Sequence, residues 1–496
     1  MAKTDESLYG ALCRLAESDI VPMHMPGHKR NTALLRSASL LQSATLLRSA
    51  LNDAVPDGAV PLGAVPLGAV LPYGIDITEI DGFDNLHHPT GILRALSETA
   101  ARMYGAAAAF PLCAGSTCGI LAAVRGMVRP GERVLVGRNA HMSVFHALAL
   151  AGAEPVYLSP EADAETGIVG ALSAQTVARG LCDAPDAKLV ILTSPTYEGA
   201  VSPVDRIASF AHAAGARVLV DAAHGAHLGF SDAFPPAPLA QGADAVVLSL
   251  HKTLPAMTGC ALALAADGET AAAIAEQLDV FQTSSPSYVL LASVDVCLRL
   301  LRERGGELFD AWQARLARFR LAARDWKNLR LYPSDDPGKI VILTGGLGRS
   351  GREVAALLRE RYRIEPEAAW TRHLLAMTSV CDTDEGFARL TAALAEIDRM
   401  PGEGVCPPPL VYGIPQTVVP LSRAERAARE TVPLASAVGR ISGGYVIPYP
   451  PGIPVLLPGE RITADITDVI GRALAAGEVQ NTGNTLPQAL TVLCDT

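Results

Sequence analysis

The chain has 496 residues, of which 49% are hydrophobic and 19% charged. This composition excludes an intrinsically disordered protein and allows two or three hydrophobic cores. The formal net charge of -10 argues against a nucleic-acid-binding protein and slightly favours cationic small substrates.

Cysteine usage and hydropathy indicate the cellular location. Nine cysteines occur without a CxxC pair, so the sequence predicts neither a disulfide framework nor a zinc ribbon. The N-terminus lacks the apolar core of a signal peptide, and no apolar run reaches the ~18 residues that a membrane span requires. We therefore expect a cytoplasmic protein with no membrane or nucleic-acid partner.

Three regions are predicted along the chain. Residues 1–75 form an N-terminal segment whose tandem AVPLGAVPLGAV (59–70) alternates Pro and Gly, which disfavours helix and strand. Residues 76–330 alternate β-branched runs with helical stretches, the pattern of a mainly parallel sheet covered by helices on both faces. Residues 331–496 form a smaller α/β region. The clearest predicted strands of the middle region are 133–137, 154–158, 189–194, 217–223 and 243–250, followed by a long helical stretch over 289–329.

Lys252, in the segment SLHKT, follows one of these buried strands. Asp221 ends the preceding strand 31 positions earlier, about the length of one strand, one crossover and the next strand. Side chains just past the ends of parallel strands lie where ligands bind in open α/β sheets. Pyridoxal phosphate (PLP) acts as an electron sink when a lysine holds it as a Schiff base and a carboxylate keeps its ring nitrogen protonated. Lys252 and Asp221 suit these roles, so we predict PLP chemistry at an amino acid α-carbon.

A phosphate site is predicted at the turn Gly115-Ser116-Thr117, where a strand leads into a helix. Backbone N–H groups and the dipole at a helix start bind phosphate, and the two hydroxyls add donors. Ser249 and His251 could add contacts beside Lys252. His141, after the strand at 133–137, is placed to stack on the PLP ring.

A metal site is the competing interpretation. Asp221, His224 and His227 form a DxxHxxH pattern whose side chains could converge on zinc. A zinc site would explain neither the lysine segment nor the Gly-Ser-Thr turn. We therefore favour PLP and expect no metal.

These residues resemble those of a known family, the Orn/Lys/Arg decarboxylases of the aspartate-aminotransferase-like PLP fold, in their shorter form without an N-terminal receiver-like domain. The resemblance covers most of the chain. The motifs that carry it are HMPGHK (24–29), DITEIDGFDNLHHPTGIL (76–93), GST (115–117), RNAHMS (138–143), LTSPTYEG (192–199), DAAHGAHLGF (221–230), SLHKTLPAMT (249–258), TSSPSY (283–288) and IPYPPGIPVLLPGE (447–460).

The resemblance implies a seven-stranded, mainly parallel sheet in the large domain, and decarboxylation of lysine, arginine or ornithine to the corresponding amine. It implies that Lys252 forms the Schiff base, that Asp221 faces the pyridinium, and that His141 stacks on the ring. It also implies a homodimer, or a dimer-based oligomer, with shared active sites. The implied catalytic residues are Lys252, Asp221, His141 and His224. The implied cofactor-binding residues are Gly115, Ser116, Thr117, His141, Thr196, Asp221, Ala223, His224, Ser249, His251, Lys252 and, reaching the neighbouring subunit's phosphate, Ser284 and Ser285.

Several positions depart from the family pattern. Ala222, Gly259 and the pair Gly443-Gly444 stand where glutamate, glutamine and Ala-Glu are common, and Met142 replaces a usual lysine. These departures motivate two alternatives, a PLP-dependent oxidase, aminotransferase or lyase acting on a basic amino acid, and a non-catalytic protein that kept the fold. Carboxylates for the distal cation of a basic substrate could come from Glu79, Asp81 and Asp84.

Overall fold

The computed structural model describes residues 19–29, 31, 75–402, 413–449, 451–475, 479–481 and 489–494. Most of the predicted N-terminal segment, including the tandem at 59–70, lies outside these residues. A described piece of it forms the short strand β1 (Val21–Met23), which pairs in parallel with β11 (Ile364–Pro366). Within the described ranges, no helix combines the length and apolarity needed to cross a bilayer.

A seven-stranded sheet lies at the centre of the molecule and confirms the predicted fold class. Its strands are β2 (Ala108–Leu112), β3 (Arg133–Gly137), β4 (Glu154–Leu158), β5 (Leu189–Thr193), β6 (Arg217–Ala222), β7 (Ala245–Leu248) and β8 (Ala261–Ala265). Their order across the sheet is β2-β8-β7-β6-β5-β3-β4, and β8 is antiparallel to both of its neighbours. The predicted strands at 133–137 and 154–158 match β3 and β4, whereas β7 is shorter than predicted.

Helices cover both faces of this sheet. They are α1 (Ile92–Tyr104), α2 (Gly115–Met127), α3 (Met142–Ala151), α4 (Ala174–Asp183), α5 (Val204–Ala213), α6 (Leu250–Thr253), α7 (Gly268–Phe281) and α8 (Tyr288–Ala323). Successive strand side chains point to opposite faces: Val134 and Val136 belong to the apolar core that includes α2, α3 and α7, and Leu135 belongs to the core that includes α1, α4, α5 and α8. Each such fully buried side chain contributes roughly 1.5–3 kcal/mol of transfer free energy. Burial on both faces therefore explains the nearly continuous apolar strands.

A smaller antiparallel sheet follows α8. Its region contains β9 (Arg330–Leu331), β10 (Lys339–Leu343), α9 (Gly351–Tyr362), β12 (Ala368–Ala369), β13 (His373–Met377) and α10 (Asp384–Asp398), and the strand order is β12-β13-β10-β9. The start of β10 is held against α8, because a Cβ added at Gly338 would lie 2.7 Å from the Trp312 ring. Trp312 Nε1 in turn donates to Thr378 Oγ1 at 2.9 Å. This packing fixes the first residue of β10, Lys339, beside the large sheet.

The C-terminal segment contributes α11 (Leu421–Ala424), β14 (Arg429–Pro433), β15 (Val446–Pro448), α12 (Ala464–Ala475), β16 (Val479–Asn481) and β17 (Ala489–Leu493). A buried ion pair fastens it to the large sheet: Arg138, just after β3, lies 3.1 Å from Glu460. The two side chains are 6% and 1% exposed. Glu460 also accepts from the Leu457 N–H at 2.7 Å, so its carboxylate orders the segment that closes over β3.

We expect Glu460→Ala to lower the free energy of unfolding by about 3–5 kcal/mol, because the variant leaves the Arg138 guanidinium buried and unpaired. Urea-induced unfolding followed by circular dichroism measures the change. The control is Glu165→Ala, which breaks an exposed pair with Arg330 and is expected to change stability by less than about 1 kcal/mol. Equal effects of the two substitutions would contradict the anchoring role of Glu460.

Candidate active site

A cavity of about 210 Å³ opens at the carboxyl ends of the central parallel strands. Its floor is formed by residues that end β5 and β6 or follow β7, and its other walls come from segments much later in the chain. The floor and near walls are lined by Ser116, Asn139, His141, Thr193, Thr196, Tyr197, Glu198, Asp221, Ala223, His224 and Lys252. The remote walls are lined by Trp370, Thr371, Arg372, His373, Pro448, Pro451, Ile453, Val455, Val469, Ile470 and Ala473.

Lys252 lies on the short helix α6, four residues past the end of β7. Its Nζ is 3.0 Å from His224 Nε2. Burial lowers the pKa of Lys252, and the carboxylates of Asp221 and Glu367 oppose that shift. A lysine amine with a lowered pKa is uncharged for a larger fraction of the time, which is the form that acts as a nucleophile.

Asp221 is the penultimate residue of β6 and is 3% exposed. The parallel register places it beside Thr193 on β5 and Val247 on β7. Its Oδ1 accepts from the Ala223 N–H at 3.1 Å. Burial raises the pKa of Asp221, and the nearby Lys252 amine lowers it. A buried carboxylate of this kind stabilises a positive charge placed opposite it.

His141 is the N-cap of α3, and its Nδ1 accepts from the Ser143 N–H at 3.2 Å. Burial, followed by the charges of Lys252 and His146, lowers the pKa of His141 to about 4. The ring is therefore neutral at pH 7. Gly452, at φ +91°, passes close to it, because a Cβ there would lie 3.0 Å from the imidazole. The ring thus stands at the cavity wall with a fixed orientation.

The predicted phosphate-binding residues occupy the start of α2 and the start of α6. Ser116 lines the cavity, and Gly115 adopts φ +73° while its N–H donates to Gly259 O at 2.8 Å. Ser249 Oγ is buried without a hydrogen-bond partner among the described residues. His251 Nδ1 lies 2.9 Å from Cys260 O. Gly115, Thr117, Ser249 and His251 do not line the cavity.

Seven of the predicted site residues line the one cavity, namely Ser116, His141, Thr196, Asp221, Ala223, His224 and Lys252. Ser284 and Ser285 lie instead in an exposed loop between α7 and α8. That position is compatible with a contact to a second subunit, and their role stays a prediction.

Five residues in or beside the cavity received no role from the sequence, and four of them line it. Lys339, at the start of β10, is 2% exposed and its Nζ lies 3.0 Å from His224 Nδ1. Asn139 Oδ1 and Thr193 Oγ1 are buried polar atoms of the lining that have no partner among the described residues. Glu198 belongs to the motif LTSPTYEG, and Trp370, which also lines the cavity, comes from the loop before β13. The motif LTSPTYEG could have indicated Glu198 from the sequence. No local pattern distinguishes Lys339 from other lysines.

The departures from the family pattern lie away from the cavity surface of the described chain. Ala222 is fully buried in the apolar core on the other face of β6. Gly259 has φ +97° and receives the Gly115 hydrogen bond, a backbone state that favours glycine. Gly443 and Gly444 pack on β17, since added Cβ atoms would lie 3.0 Å from Val492 and 3.3 Å from Thr491.

The competing metal interpretation lacks a converging ligand set. His227 Nε2 lies 3.1 Å from Asp336 Oδ1, and its ring packs between Phe234 and Trp312. In the part of the chain that the structure describes, no three His, Cys, Asp or Glu side chains are arranged to hold a metal ion.

Comparison with known proteins identifies the family of this site. Residues 71–334 match the family profile "Orn/Lys/Arg decarboxylase, major domain", and residues 419–482 match "Orn/Lys/Arg decarboxylase, C-terminal domain". The chain belongs to the Orn/Lys/Arg decarboxylase family. The resemblance seen in the sequence is thereby confirmed.

Individual relatives agree with this membership. The chain is 36% identical to the uncharacterized protein YaaO of Bacillus subtilis (strain 168), over 81% of this chain and 86% of that protein. It is 30% identical to an arginine decarboxylase of the same organism, over 96% of this chain and 95% of that protein. In fold it is similar to the Francisella novicida lysine decarboxylase LdcF, with a TM-score of 0.75, 17% identity, and coverage of 99% and 84% of the two chains.

The large sheet with its helices is also similar in fold to more distant enzymes. An alanine–glyoxylate aminotransferase from Nostoc sp. matches with a TM-score of 0.51 and 16% identity, covering 64% of this chain and 89% of that one. The aminotransferase-like fold class predicted from the sequence is therefore confirmed.

Proposed function

We propose that the chain binds PLP through Lys252 and decarboxylates a basic amino acid to the corresponding amine. One observation carries the proposal. Lys252 and Asp221, separated by 31 residues in the sequence, line the same cavity at the carboxyl ends of the central strands. PLP bound there supplies an electron sink for the bond that breaks at the α-carbon. The arginine decarboxylase of Bacillus subtilis, similar over nearly the whole chain, makes arginine the first substrate to test.

The cavity residues fit this cofactor. Asn139 Oδ1 and Thr193 Oγ1 in the lining, and Ser249 Oγ behind it, are buried polar atoms that need partners. Ser116 lies at the start of the 13-residue helix α2, where N–H groups and the helix dipole favour a phosphate. Asp221 would face the ring nitrogen and His141 would lie against the ring. Ser284 and Ser285 would complete the phosphate site of a second subunit in a homodimer.

The cavity walls favour loss of the substrate carboxylate. Apolar side chains form part of the cavity wall. They are Ile453, Val455, Val469 and Ile470 of the C-terminal segment and Ile168 of the large domain. A carboxylate held against such a surface is poorly solvated, and its departure as uncharged CO2 removes that penalty. The chain's role in bond breaking is therefore to exclude water around the carboxylate. Lys252 and His224 both line the cavity, with their side-chain nitrogens 3.0 Å apart, and either would return a proton to the α-carbon.

Glu198 would bind the distal cation of the substrate. Two carboxylates belong to the described residues that line the cavity, Glu198 and Asp221, and Asp221 has the ring nitrogen as its partner in this proposal. The Glu198 side chain is 13% exposed and lies 3.9 Å from His373 Nε2. Both ring nitrogens of His373 are buried without a hydrogen-bond partner in the described ranges. The Trp370 ring, stacked on His373 at a centroid distance of 4.5 Å, completes a wall that suits a cation.

The acids suggested by the sequence are placed elsewhere. Glu79 is partly buried and Asp81 is exposed, and neither lines the cavity. Asp84 accepts N–H bonds from Gly91 at 2.7 Å and from Leu93 at 3.1 Å, so its carboxylate orders the start of α1. Glu198 therefore replaces these three as the candidate.

We expect Glu198→Gln to reduce kcat/KM for the basic substrate by about 10- to 100-fold, because a hydrogen bond to a charged group contributes roughly 1.5–3 kcal/mol. Steady-state kinetics with lysine and with norleucine, its uncharged analogue, measure the change. The ratio of the two kcat/KM values should collapse in the variant, while the exposed control Glu161→Gln should keep it. An unchanged ratio in Glu198→Gln would place the cation elsewhere.

The proposed reaction is tested by following products. Purified protein loaded with PLP and supplied with arginine, lysine or ornithine should release CO2 and the matching amine in equal amounts. Keto acid without CO2 would overturn decarboxylation and favour the oxidase, aminotransferase or lyase alternative. PLP attached at Lys252 with no turnover of any amino acid would favour the non-catalytic alternative.

A further inference from the structure

His224 lies between two lysine amines. Its Nε2 is 3.0 Å from Lys252 Nζ and its Nδ1 is 3.0 Å from Lys339 Nζ. Both His224 and Lys339 are buried, at 7% and 2% exposure. The imidazole therefore connects the lysine of the large sheet to a lysine of the smaller sheet through its two nitrogens.

The donors and acceptors of this array restrict its protonation. Burial, together with the charges of Lys252 and Lys339, lowers the pKa of His224 well below its ordinary value, so the ring is neutral. A neutral imidazole offers one N–H and one lone pair, whereas an ammonium group offers only donors. One lysine must therefore donate to the ring. The other must accept from it, and an accepting amine is uncharged.

The surroundings indicate which lysine is charged. Burial lowers the pKa of Lys339 to about 8, against the opposing charges of Asp336 and Glu367, so its amine is mostly protonated at pH 7. Asp336 is itself ordered by the Gly338 N–H at 2.9 Å and by His227. The titratable groups that face Lys252 are the carboxylates of Asp221 and Glu367, the imidazoles of His141, His224 and His251, and the Lys339 amine.

We propose that Lys339 is a positioning residue whose ammonium donates to Nδ1 of His224 and so holds the ring proton on Nε2, directed at Lys252. In this arrangement the Lys252 amine accepts from His224 and stays uncharged. An uncharged amine adds its lone pair to an aldehyde carbon. The carbonyl oxygen then leaves as water with the two nitrogen protons, which forms the imine. The inference rests on the proposed function only in taking Lys252 as the covalent anchor.

The test measures the chemical reactivity of the Lys252 amine in protein free of PLP. Acetic anhydride at a series of pH values, followed by peptide mass spectrometry, gives the acetylation rate of Lys252 and its apparent pKa. In Lys339→Met the ring loses its donor at Nδ1, the tautomer can reverse, and Lys252 becomes an ammonium that donates to Nε2. We expect the acetylation rate of Lys252 at pH 7 to fall at least tenfold.

Two matched variants separate this role from others. Lys339→Gln removes the charge but keeps an N–H donor for His224 Nδ1. We therefore expect the acetylation rate of Lys252 in this variant to stay within about threefold of the rate in the unsubstituted protein. Lys29→Met removes another buried lysine, whose amine donates to the carbonyls of His24 and Met377 at 2.7 and 2.6 Å and to no imidazole, and should leave the rate unchanged.

Equal shifts in Lys339→Met and Lys339→Gln would overturn the inference, since they would indicate a charge effect alone. An unchanged profile in a folded Lys339→Met protein would overturn it as well. Acetylation is measured without substrate, so failure of decarboxylation and failure of this inference are distinguishable.

Discussion

Lys252→Ala should reduce amine formation by about 10⁴-fold, the upper part of the range for a group that moves protons in the transition state. The substitution removes the amine that would hold PLP covalently and that, 3.0 Å from His224 Nε2, is a candidate for returning a proton. Borohydride reduction followed by mass spectrometry should show the added mass of reduced cofactor on Lys252 in the unmodified protein and none in the variant. Release of CO2 measures the rate.

The matched control for this prediction is Lys188→Ala. Lys188 is exposed and precedes β5, at the end of the sheet opposite the cavity. It should retain full activity and the cofactor adduct. Borohydride fixation of PLP in the Lys252→Ala protein, or activity within tenfold of the unmodified protein, would show that another amine is the anchor.

Asp221→Asn should reduce the rate by about 10³-fold while PLP remains bound. The side chain is nearly isosteric and can still accept from the Ala223 N–H, so the fold should be kept. Its lost charge no longer favours a protonated ring nitrogen, and a preference weakened by about three pKa units corresponds to roughly 4 kcal/mol. The measurement pairs CO2 release with equilibrium dialysis of PLP.

Asp205→Asn serves as the control for that variant, because Asp205 is an exposed carboxylate in the first turn of α5. It should have no effect on either readout. Retention of more than a tenth of the activity in Asp221→Asn would mean that Asp221 does not face the cofactor ring. Loss of PLP binding together with activity would instead indicate a mainly structural carboxylate.

The two variants differ in what they leave intact. Lys252→Ala keeps the start of α2, where we propose that the phosphate binds, and the Asp221 carboxylate, so it should still bind PLP without a covalent bond. Asp221→Asn keeps the covalent bond and weakens only the chemistry. Spectra and rates measured on both proteins therefore separate attachment of the cofactor from its activation.

Part of the site followed from local sequence, because adjacent parallel strands place their ends together. The spacing of 31 residues between Asp221 and Lys252 spans one strand, one crossover and the next strand, and β6 and β7 do pair in parallel. His141 and Ser116 likewise follow directly from strands β3 and β2 into helix starts. Fold class and family membership were predicted correctly from such patterns. The predicted domain boundaries at 75 and 330 stay a prediction.

Other expectations failed because the local sequence does not determine the direction in which a side chain points. Asp84 is in a family motif with acidic neighbours, yet it orders a helix start, since its backbone at φ +71° turns the side chain toward the N–H groups of α1. Ala222 is one of the positions that depart from the family pattern. In a strand, neighbouring side chains face opposite ways, so Asp221 lines the cavity and Ala222 fills the core.

The sequence alone determined the layered α/β sheet, the strand ends that carry Lys252 and Asp221, and the family to which the chain belongs, because these depend on periodicity and short spacings. Only the tertiary structure brought Lys339 to His224, 115 positions apart, and His373 to Glu198. Contacts between separately folded regions depend on how those regions pack, and no spacing along the chain specifies that. The lysine that we propose as the cofactor anchor could therefore be predicted from the sequence, while the residues that pack around it could not.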